Sequence, residues 1–290
     1  MYQTYVNELI LPSDGAETKF IMDQVRTCYN GIYPFKIFPD KGLRCLEFAP
    51  ITILYGGNGS GKSTLLNVLA EKAGLIRHSA FNKSAFFGEY IRRCQLYSSR
   101  IPEHSQILTS DDVSDYLLNI RYLNDGIDVR REELFQEYID LKYSKRNLRS
   151  LSEYDEWKKS ADLKSKSMTQ SRYVRERLMR NVDMTSNGES AIKYFVEHIT
   201  QDALYLLDEP ENSLSIELQQ ELSTYITASA EHFHCQFIIA THSPILLSMD
   251  GAVIYDLDEY PIKTKPWTEL DNVRKYFDFF EMHRAEFLQE

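Results

Sequence analysis

The chain has 290 residues and a formal net charge of −10, with 43% hydrophobic and 26% charged residues. This composition excludes a disordered or fibrous protein, and the length suits one large α/β domain or two smaller ones. The acidic balance argues against a protein whose whole surface binds nucleic acid, because neutralising phosphates requires an excess of Lys and Arg.

The sequence contains no candidate membrane span. No stretch approaches the ~18 consecutive apolar residues that cross a bilayer. The first residues, MYQTYVNELILPSDG, lack the basic start and apolar centre of a signal peptide. We therefore expect a cytoplasmic protein with no membrane partner. The four cysteines include no C-x-x-C pair, so we expect reduced thiols and no zinc knuckle.

The first part of the chain alternates short β-like runs with turn residues. The runs are YPFKIF, LRCLEF and ITIL, and Pro39, Asp40 and Gly42 lie between the first two. Apolar runs joined by such residues are typical of hairpins. We therefore predict an antiparallel β part before residue 55.

A glycine-rich loop follows the run ITIL. The stretch YGGNGSGKSTL contains Gly56-x-x-x-x-Gly61-Lys62-Ser63, and the apolar stripe after it indicates a helix that stops at Gly74. A strand, this loop and a helix form the context that identifies a phosphate-binding loop. Lys62 is expected to reach the β- and γ-phosphates, and Ser63 to bind Mg²⁺. The predicted nucleotide-binding residues are Gly56, Gly57, Asn58, Gly59, Ser60, Gly61, Lys62, Ser63 and Thr64.

The next long segment is charged, periodic and poor in glycine. We predict a helical insertion over residues 110–180, projecting from a discontinuous core made of 1–109 and 181–290. Within it, residues 142–180 combine cations with aromatic side chains. That surface could bind nucleic acid or an acidic partner, or it could be an exposed arm kept soluble by its charges. The residues concerned are Lys142, Lys145, Arg146, Arg149, Lys158, Lys159, Lys164, Lys166, Arg172, Arg175, Arg177 and Arg180, with Tyr143, Tyr154, Trp157 and Tyr173.

Strand-like sequence returns after the insertion. The runs ALYLLDEP (203–210), CQFIIATHSP (235–244) and AVIYDLD (252–258) are apolar, and a helical run separates the first two. Apolar strands that alternate with helices favour a mostly parallel sheet covered on both faces. The predicted fold is therefore an α/β phosphate-loop domain.

Three polar side chains follow these strands. Asp208 is placed to hold Mg²⁺, and Glu209 directly after it can act as base on the attacking water. His242 ends the next strand, so it is expected at the same edge of the sheet, where an imidazole can contact the γ-phosphate or the water.

In combination, these motifs resemble the ABC-type ATPase superfamily, and within it the soluble AAA-family ATPases related to the repair and SMC-type ATPases. The resemblance covers residues 30–90 and 180–260, and it implies ATP and Mg²⁺ as cofactors. It also implies a head-to-tail, ATP-dependent dimer, in which the signature segment of one copy completes the ATP site of the other. Here that segment reads SNGES, and the residues carried over are Ser186, Asn187, Gly188 and Glu189.

Some positions depart from the transporter pattern. A metal-sensing glutamine is expected on a strand after the loop, yet the strand-like SAFFGEYI offers Glu89, with Gln95 and Gln106 as weaker candidates. The segment PENSLS lacks the aspartate of the transporter D-loop. Of the upstream aromatics, Tyr33 and Phe35 could stack on adenine, although a β-strand core role is favoured for both.

The predicted function is an ATP-hydrolysing head that drives or gates a partner or a nucleic-acid-linked process. The resemblance suggests antiviral defence or DNA repair as the setting. A low-turnover nucleotide-binding module that controls a separate effector stays open as an alternative, and a transporter subunit is the least favoured reading.

Overall fold

The computed structural model describes residues 3–25, 28, 29, 31–143, 158, 169–182 and 186–288. Much of the predicted basic segment lies outside these residues. The members outside are Lys145, Arg146, Arg149, Tyr154, Trp157, Lys159, Lys164 and Lys166.

The central sheet has six strands within the described residues, in the order β5-β6-β7-β3-β8-β9. Their bounds are β3 (Ile51–Tyr55), β5 (Gln106–Thr109), β6 (Leu204–Asp208), β7 (Gln236–Thr241), β8 (Val253–Asp256) and β9 (Lys263–Thr264). All pairings are parallel except that of β8 with β9. Residues of β3 and β7 are buried on both faces, as expected for apolar strands in a parallel sheet covered by helices.

A second, antiparallel sheet is formed near the N-terminus. It contains β1 (Val6–Ile10), β2 (Cys45–Glu47) and β4 (Gln95–Ser98), with β1 in the middle. An antiparallel part was predicted, but the predicted hairpin is wrong. The run YPFKIF forms turns, Pro39–Lys41 is a short 3₁₀ helix, and ITIL pairs with β7 and β8. Turn residues therefore did separate the runs, but the runs do not pair with one another: β2 pairs with β1, and β3 pairs with β7 and β8.

Helices make up most of the remaining regular structure in the described residues. Their bounds are α1 (Asp14–Met22), α2 (Lys62–Ala73), α3 (Phe87–Arg93), α4 (Ser110–Tyr143), α5 (Gln170–Arg175), α6 (Asn187–His198), α7 (Ile216–His232), α8 (Pro244–Leu247), α9 (Asp271–Met282) and α10 (Arg284–Leu288). Helix α2 begins at the phosphate loop and ends at Gly74, whose φ of 68° suits the left-handed C-cap. It contacts β6 and β7 with buried Leu65, Leu66, Val68 and Leu69.

The predicted strand SAFFGEYI is wrong, because the structure forms α3 there. Phe87 and Tyr90, three residues apart, are both fully buried. Their spacing places them on one face of a helix. Among the described residues, no helix is both long enough and apolar enough to cross a membrane.

The chain divides into two compact units, Met1–Ser114 with Ser186–Glu290, and Asp115–Thr185. The first contains both sheets. The second holds most of α4 and all of α5, and its own small core contains Leu134, Tyr138, Tyr173 and Val174.

Candidate functional site

The functional side chains lie where parallel strands end. In the register of the central sheet, Thr109 of β5 is opposite Asp208 of β6, and Asp208 is opposite Ala240 of β7. Tyr55, the last residue of β3, is opposite Thr241. The phosphate loop, the Asp208–Glu209 pair and His242 therefore leave the sheet at one edge, which is where parallel α/β sheets bind ligands.

The glycines give the phosphate loop its shape. Gly59 and Gly61 have φ of 80° and 103°, a backbone region that other residues rarely adopt. At Gly56, a Cβ would lie 2.6 Å from the Ser60 hydroxyl oxygen, so only glycine allows this approach. Gly61 is also the N-cap of α2 and has no side chain to cap it. The first-turn N–H groups of α2 consequently have no acceptor within the helix and are available to a phosphate.

Lys62 is buried inside this loop. Its side chain is 5% exposed, and its Nζ donates to the carbonyl oxygens of Gly56 at 2.7 Å and Gly57 at 3.2 Å. The same Nζ lies 3.7 Å from Glu209 Oε1. The loop therefore holds a positive charge at its centre, next to the carboxylate after β6.

A cavity of about 360 Å³ opens over the loop. It is lined by the consecutive residues 58–64 together with Ile37 and Glu209. Of the predicted nucleotide-binding residues, Gly56 and Gly57 do not line it. Their carbonyl groups hold Lys62, and the Gly57 N–H donates to Asp258 Oδ2 at 2.7 Å.

Ser63 and Asp208, two of the predicted magnesium ligands, lie side by side. The Ser63 hydroxyl donates to Asp208 Oδ1 at 3.1 Å. Burial raises the pKa of Asp208 to about 6, with Glu209 contributing in the same direction, while Ser63, Lys62 and Arg77 act to lower it. A divalent cation in this position would favour the ionised carboxylate.

Ser63 and Asp208 suit a Mg²⁺ ion that takes most of its ligands from a bound nucleotide and from water. The described residues contain no group of three or more His, Cys, Asp or Glu side chains arranged to hold a metal ion. Mg²⁺ commonly takes one or two protein oxygen ligands and completes its shell with phosphate and water. One hydroxyl and one carboxylate beside a phosphate-binding loop satisfy that requirement.

A larger cavity of about 600 Å³ adjoins the first. It shares Ser63, Thr64 and Glu209 with the smaller cavity and extends to Arg77, which sequence reasoning missed. The Arg77 guanidinium donates to Asn67 Oδ1, and burial lowers its pKa. Its charge beside Asp208 is a property of the fold, since nothing in the local sequence around Arg77 indicates this position.

The loop after β6 organises Glu209. Glu209 has φ of 50°, and its N–H donates to the carbonyl of Ala240 on β7 at 2.9 Å. Asn212 donates twice to it, from its N–H to the Glu209 carbonyl at 3.2 Å and from Nδ2 to Oε2 at 3.3 Å. The carboxylate is therefore aimed by its neighbours toward both cavities, whose walls it shares.

His242 follows β7, as the sequence predicts, and its side chain is 49% exposed. It lines neither of the two cavities described above. Oε1 of Glu211 lies 3.3 Å from His242 Nδ1. Sequence reasoning missed Glu211, although it stands two residues after Glu209.

The segment SNGES forms the start of α6. Ser186 Oγ accepts the Glu189 N–H at 3.3 Å, and Glu189 Oε2 accepts the Ser186 N–H at 2.8 Å, which is a complete capping box. Gly188 is buried, and a Cβ there would lie 2.6 Å from Leu218 Cδ1. Ser186, Asn187, Gly188 and Glu189 line neither of the two cavities.

Several secondary candidates are not brought to the site. Glu89, predicted as a metal ligand, pairs with Arg92 and Arg93 on its own helix and lines neither cavity. Gln95 lies in the antiparallel sheet, and Gln106 Nε2 donates to the carbonyl of His198.

The two aromatic residues upstream of the phosphate loop, Tyr33 and Phe35, have different surroundings. Phe35 is a core residue, stacked on Phe20 at 4.5 Å, although it lies in a turn and not in a strand. Tyr33 lines the larger cavity, and its hydroxyl donates to Thr64 Oγ1 at 3.0 Å. The residue that lines the smaller cavity upstream of the loop is the aliphatic Ile37.

Together, the parallel sheet, the loop at the N-terminus of α2 and the Asp208–Glu209 pair define a P-loop ATPase domain. The family described as "AAA domain, putative AbiEii toxin, Type IV TA system" matches residues 95–248. This is more than half of the chain, so the protein belongs to that AAA-domain family, and the predicted recognition is confirmed. The matched segment contains Asp208, Glu209 and His242, and it starts after the phosphate loop.

No curated protein matches the chain. Solved structures that the chain matches include the Smc head domain of Pyrococcus furiosus bound to the C-terminal domain of ScpA, with 13% identity and a TM-score of 0.43, covering 97% of this chain and 99% of that one. The SMC head domain from Thermotoga maritima has 15% identity and a TM-score of 0.39, covering 90% and 98%. The cbiO1 protein of Clostridium perfringens, part of an ABC transporter complex, has 15% identity and a TM-score of 0.37, covering 85% and 90%.

Proposed function

We propose that the protein binds ATP with Mg²⁺ and hydrolyses it to ADP and phosphate. The observation that carries the proposal is the convergence of Lys62, Ser63, Asp208 and Glu209 on one pair of adjoining cavities. A phosphate-binding loop, a metal-side carboxylate and a second carboxylate are the recurring parts of a nucleoside-triphosphatase site.

Each residue takes one part. The amides of the loop and the first turn of α2 hold the phosphates, and Lys62 moves from its carbonyl partners to the β- and γ-phosphates. Ser63 and Asp208 hold Mg²⁺, which neutralises phosphate charge when bound. Glu209 accepts the proton of the attacking water, in a position set by Asn212.

The steady-state turnover of ATP tests this proposal. Lys62→Ala is expected to lose binding and turnover, whereas Glu209→Gln retains binding and loses turnover. Glu221→Gln, an exposed carboxylate on α7, is a matched control that should hydrolyse ATP at the wild-type rate. Equal rates in all four proteins would remove the claim.

The same proposal includes a nucleotide-dependent dimer. The capped N-terminus of α6, with Ser186 and Gly188, lines neither cavity of its own molecule. In a head-to-tail pair it would face the γ-phosphate of a second copy, where the helix N-terminus favours negative charge. Glu209→Gln should double in mass on addition of ATP and Mg²⁺. An unchanged mass in light scattering would contradict the dimer. It would not bear on ATP hydrolysis, which the turnover measurement tests separately.

We also propose that the protein binds a partner protein. Helices α9 and α10 carry apolar side chains that are each at least half exposed. These residues are Tyr276, Phe277, Phe279, Phe280, Met282, Phe287 and Leu288. The Phe280 ring contacts those of Phe279 and Phe287, and exposed apolar side chains that cluster in this way mark a protein contact. This surface supports a head whose ATP cycle gates an effector, and the family description, which names a toxin of a type IV system, points to a defence-related process.

Capture from the native host tests the partner. The double variant Phe277→Glu with Phe280→Glu should lose a protein that the wild type retains, while Tyr122→Glu, an exposed aromatic on α4, keeps it. Retention of the same protein by the double variant would exclude this surface. Slow hydrolysis with tight ATP binding would favour the regulatory alternative over a motor. A membrane protein as the captured partner would instead favour the transporter reading.

Nucleic acid binding through residues 142–180 remains part of the proposal. Of the described cations there, Arg172 pairs with Glu176, and the Arg177 guanidinium lies 3.8 Å from the Tyr173 ring centre. Binding of a labelled single strand that weakens with rising salt would support it. No binding at low salt would support the solubilising arm.

A further inference from the structure

Glu211 is a buried carboxylate whose bonding the ATP site described above does not explain. Its side chain is 6% exposed. One oxygen, Oε1, accepts the Thr241 hydroxyl at 2.6 Å and the His242 N–H at 3.0 Å. The same oxygen lies 3.3 Å from His242 Nδ1. The other oxygen, Oε2, is buried and has no hydrogen-bond partner in the described part of the chain.

A buried carboxylate costs free energy unless its partners compensate. Here the partners all belong to one dipeptide at the end of β7, so the carboxylate holds the backbone of His242 and lies beside its ring. Thr241 is itself held, because its hydroxyl oxygen accepts the Ser243 N–H at 3.0 Å. The imidazole is half exposed, and its Nδ1 lies on the side of the Glu211 carboxylate.

We infer that Glu211 is a positioning residue that sets the tautomer and direction of His242 for ATP hydrolysis. A carboxylate beside Nδ1 favours the tautomer in which Nδ1 carries the proton. Nε2 of the neutral ring is then a hydrogen-bond acceptor for the attacking water. This inference rests on the proposed hydrolysis, because it gives His242 a role beside the attacking water, whose proton Glu209 accepts.

The loop after β6 thus supports both functional side chains. Asn212 contacts Glu209, and Glu211 contacts His242 just after the neighbouring strand β7. Because Glu209, Glu211 and Asn212 lie within four consecutive positions, one short segment couples the end of β6 to the end of β7. A rearrangement of this segment would therefore move both side chains at once.

A double-mutant cycle separates positioning from a merely structural role. Glu211→Gln, His242→Ala, the double variant and the control Glu221→Gln are compared by kcat and by KM for ATP. Loss of the group that orients a metal-bound histidine costs roughly 10-fold to 100-fold in affinity or activity, and we expect a similar factor for His242. Glu211→Gln should therefore lower kcat by that factor and leave KM within about twofold.

In the His242→Ala background, Glu211→Gln should change kcat by less than about twofold, because the residue through which it acts is gone. The same loss of kcat in both backgrounds would show that Glu211 acts independently of His242 and would overturn the inference. A wild-type kcat in Glu211→Gln would overturn it as well.

The tautomer gives a readout that does not need turnover. In ¹⁵N-histidine-labelled protein, the His242 signals are assigned by their absence in His242→Ala. We expect the Nδ1-protonated form in the wild type and a loss of that preference in Glu211→Gln. An Nε2-protonated form in the wild type would overturn the inference even if Glu211→Gln does not fold. If no variant hydrolyses ATP but the tautomer follows Glu211, the proposed hydrolysis fails and the positioning of His242 stands.

Discussion

Replacing Asp208 by Asn should stabilise the metal-free protein at neutral pH. Burial raises the pKa of Asp208 from 3.8 to about 6, so the folded state favours the protonated carboxyl more than the unfolded state does. At about 1.36 kcal/mol per pKa unit, the ionised carboxylate costs the folded protein ~3 kcal/mol above that pKa. Asparagine carries no charge and keeps an oxygen that can accept the Ser63 hydroxyl.

The sign of the pH dependence follows from the raised pKa. Below pH 3.8, the pKa of the unfolded state, the Asp208 carboxyl is protonated in both the folded and the unfolded protein. The variant and the wild type should therefore have similar free energies of unfolding there. As pH rises through about 6, the wild type loses stability and the variant does not. The advantage of Asp208→Asn should therefore grow from near zero to ~3 kcal/mol and then stay constant.

Urea unfolding in EDTA between pH 4 and pH 8 measures this difference. Asp250→Asn, an exposed carboxylate, is the control and should show no comparable rise. With Mg²⁺ and ATP the order should reverse, because the wild type gains ligand stabilisation that the variant cannot. A difference between Asp208→Asn and wild type that does not change with pH would refute the reasoning.

Two further predictions concern the start of α6. Gly188→Ala should lower the free energy of unfolding by about 1–3 kcal/mol, because the added Cβ would lie 2.6 Å from Leu218 Cδ1 and 3.2 Å from the Ser213 carbonyl oxygen. Thermal unfolding measures this loss. An unchanged midpoint would mean that Leu218 and the Ser213 backbone move aside without cost. Glu189→Ala should cost about 1 kcal/mol by removing one arm of the capping box, whereas Glu189→Gln should lose less because it keeps the acceptor. Equal losses in Ala and Gln variants would show that the charge matters and the hydrogen bond does not.

The central sheet and the phosphate loop were accessible from sequence because their signals are local. Uninterrupted apolar runs predicted β6, β7 and β8, and the loop motif carries its own flanking strand and helix. Asp208 and His242 could be placed at one edge because parallel strands end together. The predicted fold class was therefore confirmed.

The errors arose where tertiary pairing decides the outcome. The run ITIL, read as part of a hairpin, pairs in parallel with β7, almost two hundred residues away. SAFFGEYI is rich in aromatics, which favour strands, yet burial of Phe87 and Tyr90 on one face forms α3. Local propensity is weak in such segments, and packing overrides it.

Some site residues were not predicted from the sequence for the same reason. Glu211 and Asn212 stand two and three residues after Glu209, but their importance depends on contacts with His242, which follows β7, and with the carboxylate of Glu209. Arg77 reaches the cavity only because the chain after α2 returns to the sheet edge. No spacing rule within one sequence reports such contacts.

The central claim is that the phosphate loop and the two acids form one ATP-hydrolysing site. The most direct test is a single-turnover experiment on the wild type and Glu209→Gln. Each protein is mixed in excess with radiolabelled ATP in the presence of Mg²⁺, and the bound nucleotide is identified over time. We expect the wild type to convert bound ATP to ADP, while Glu209→Gln retains it as ATP with similar affinity. Conversion at the wild-type rate by Glu209→Gln, or no ATP bound by either protein, would contradict the claim.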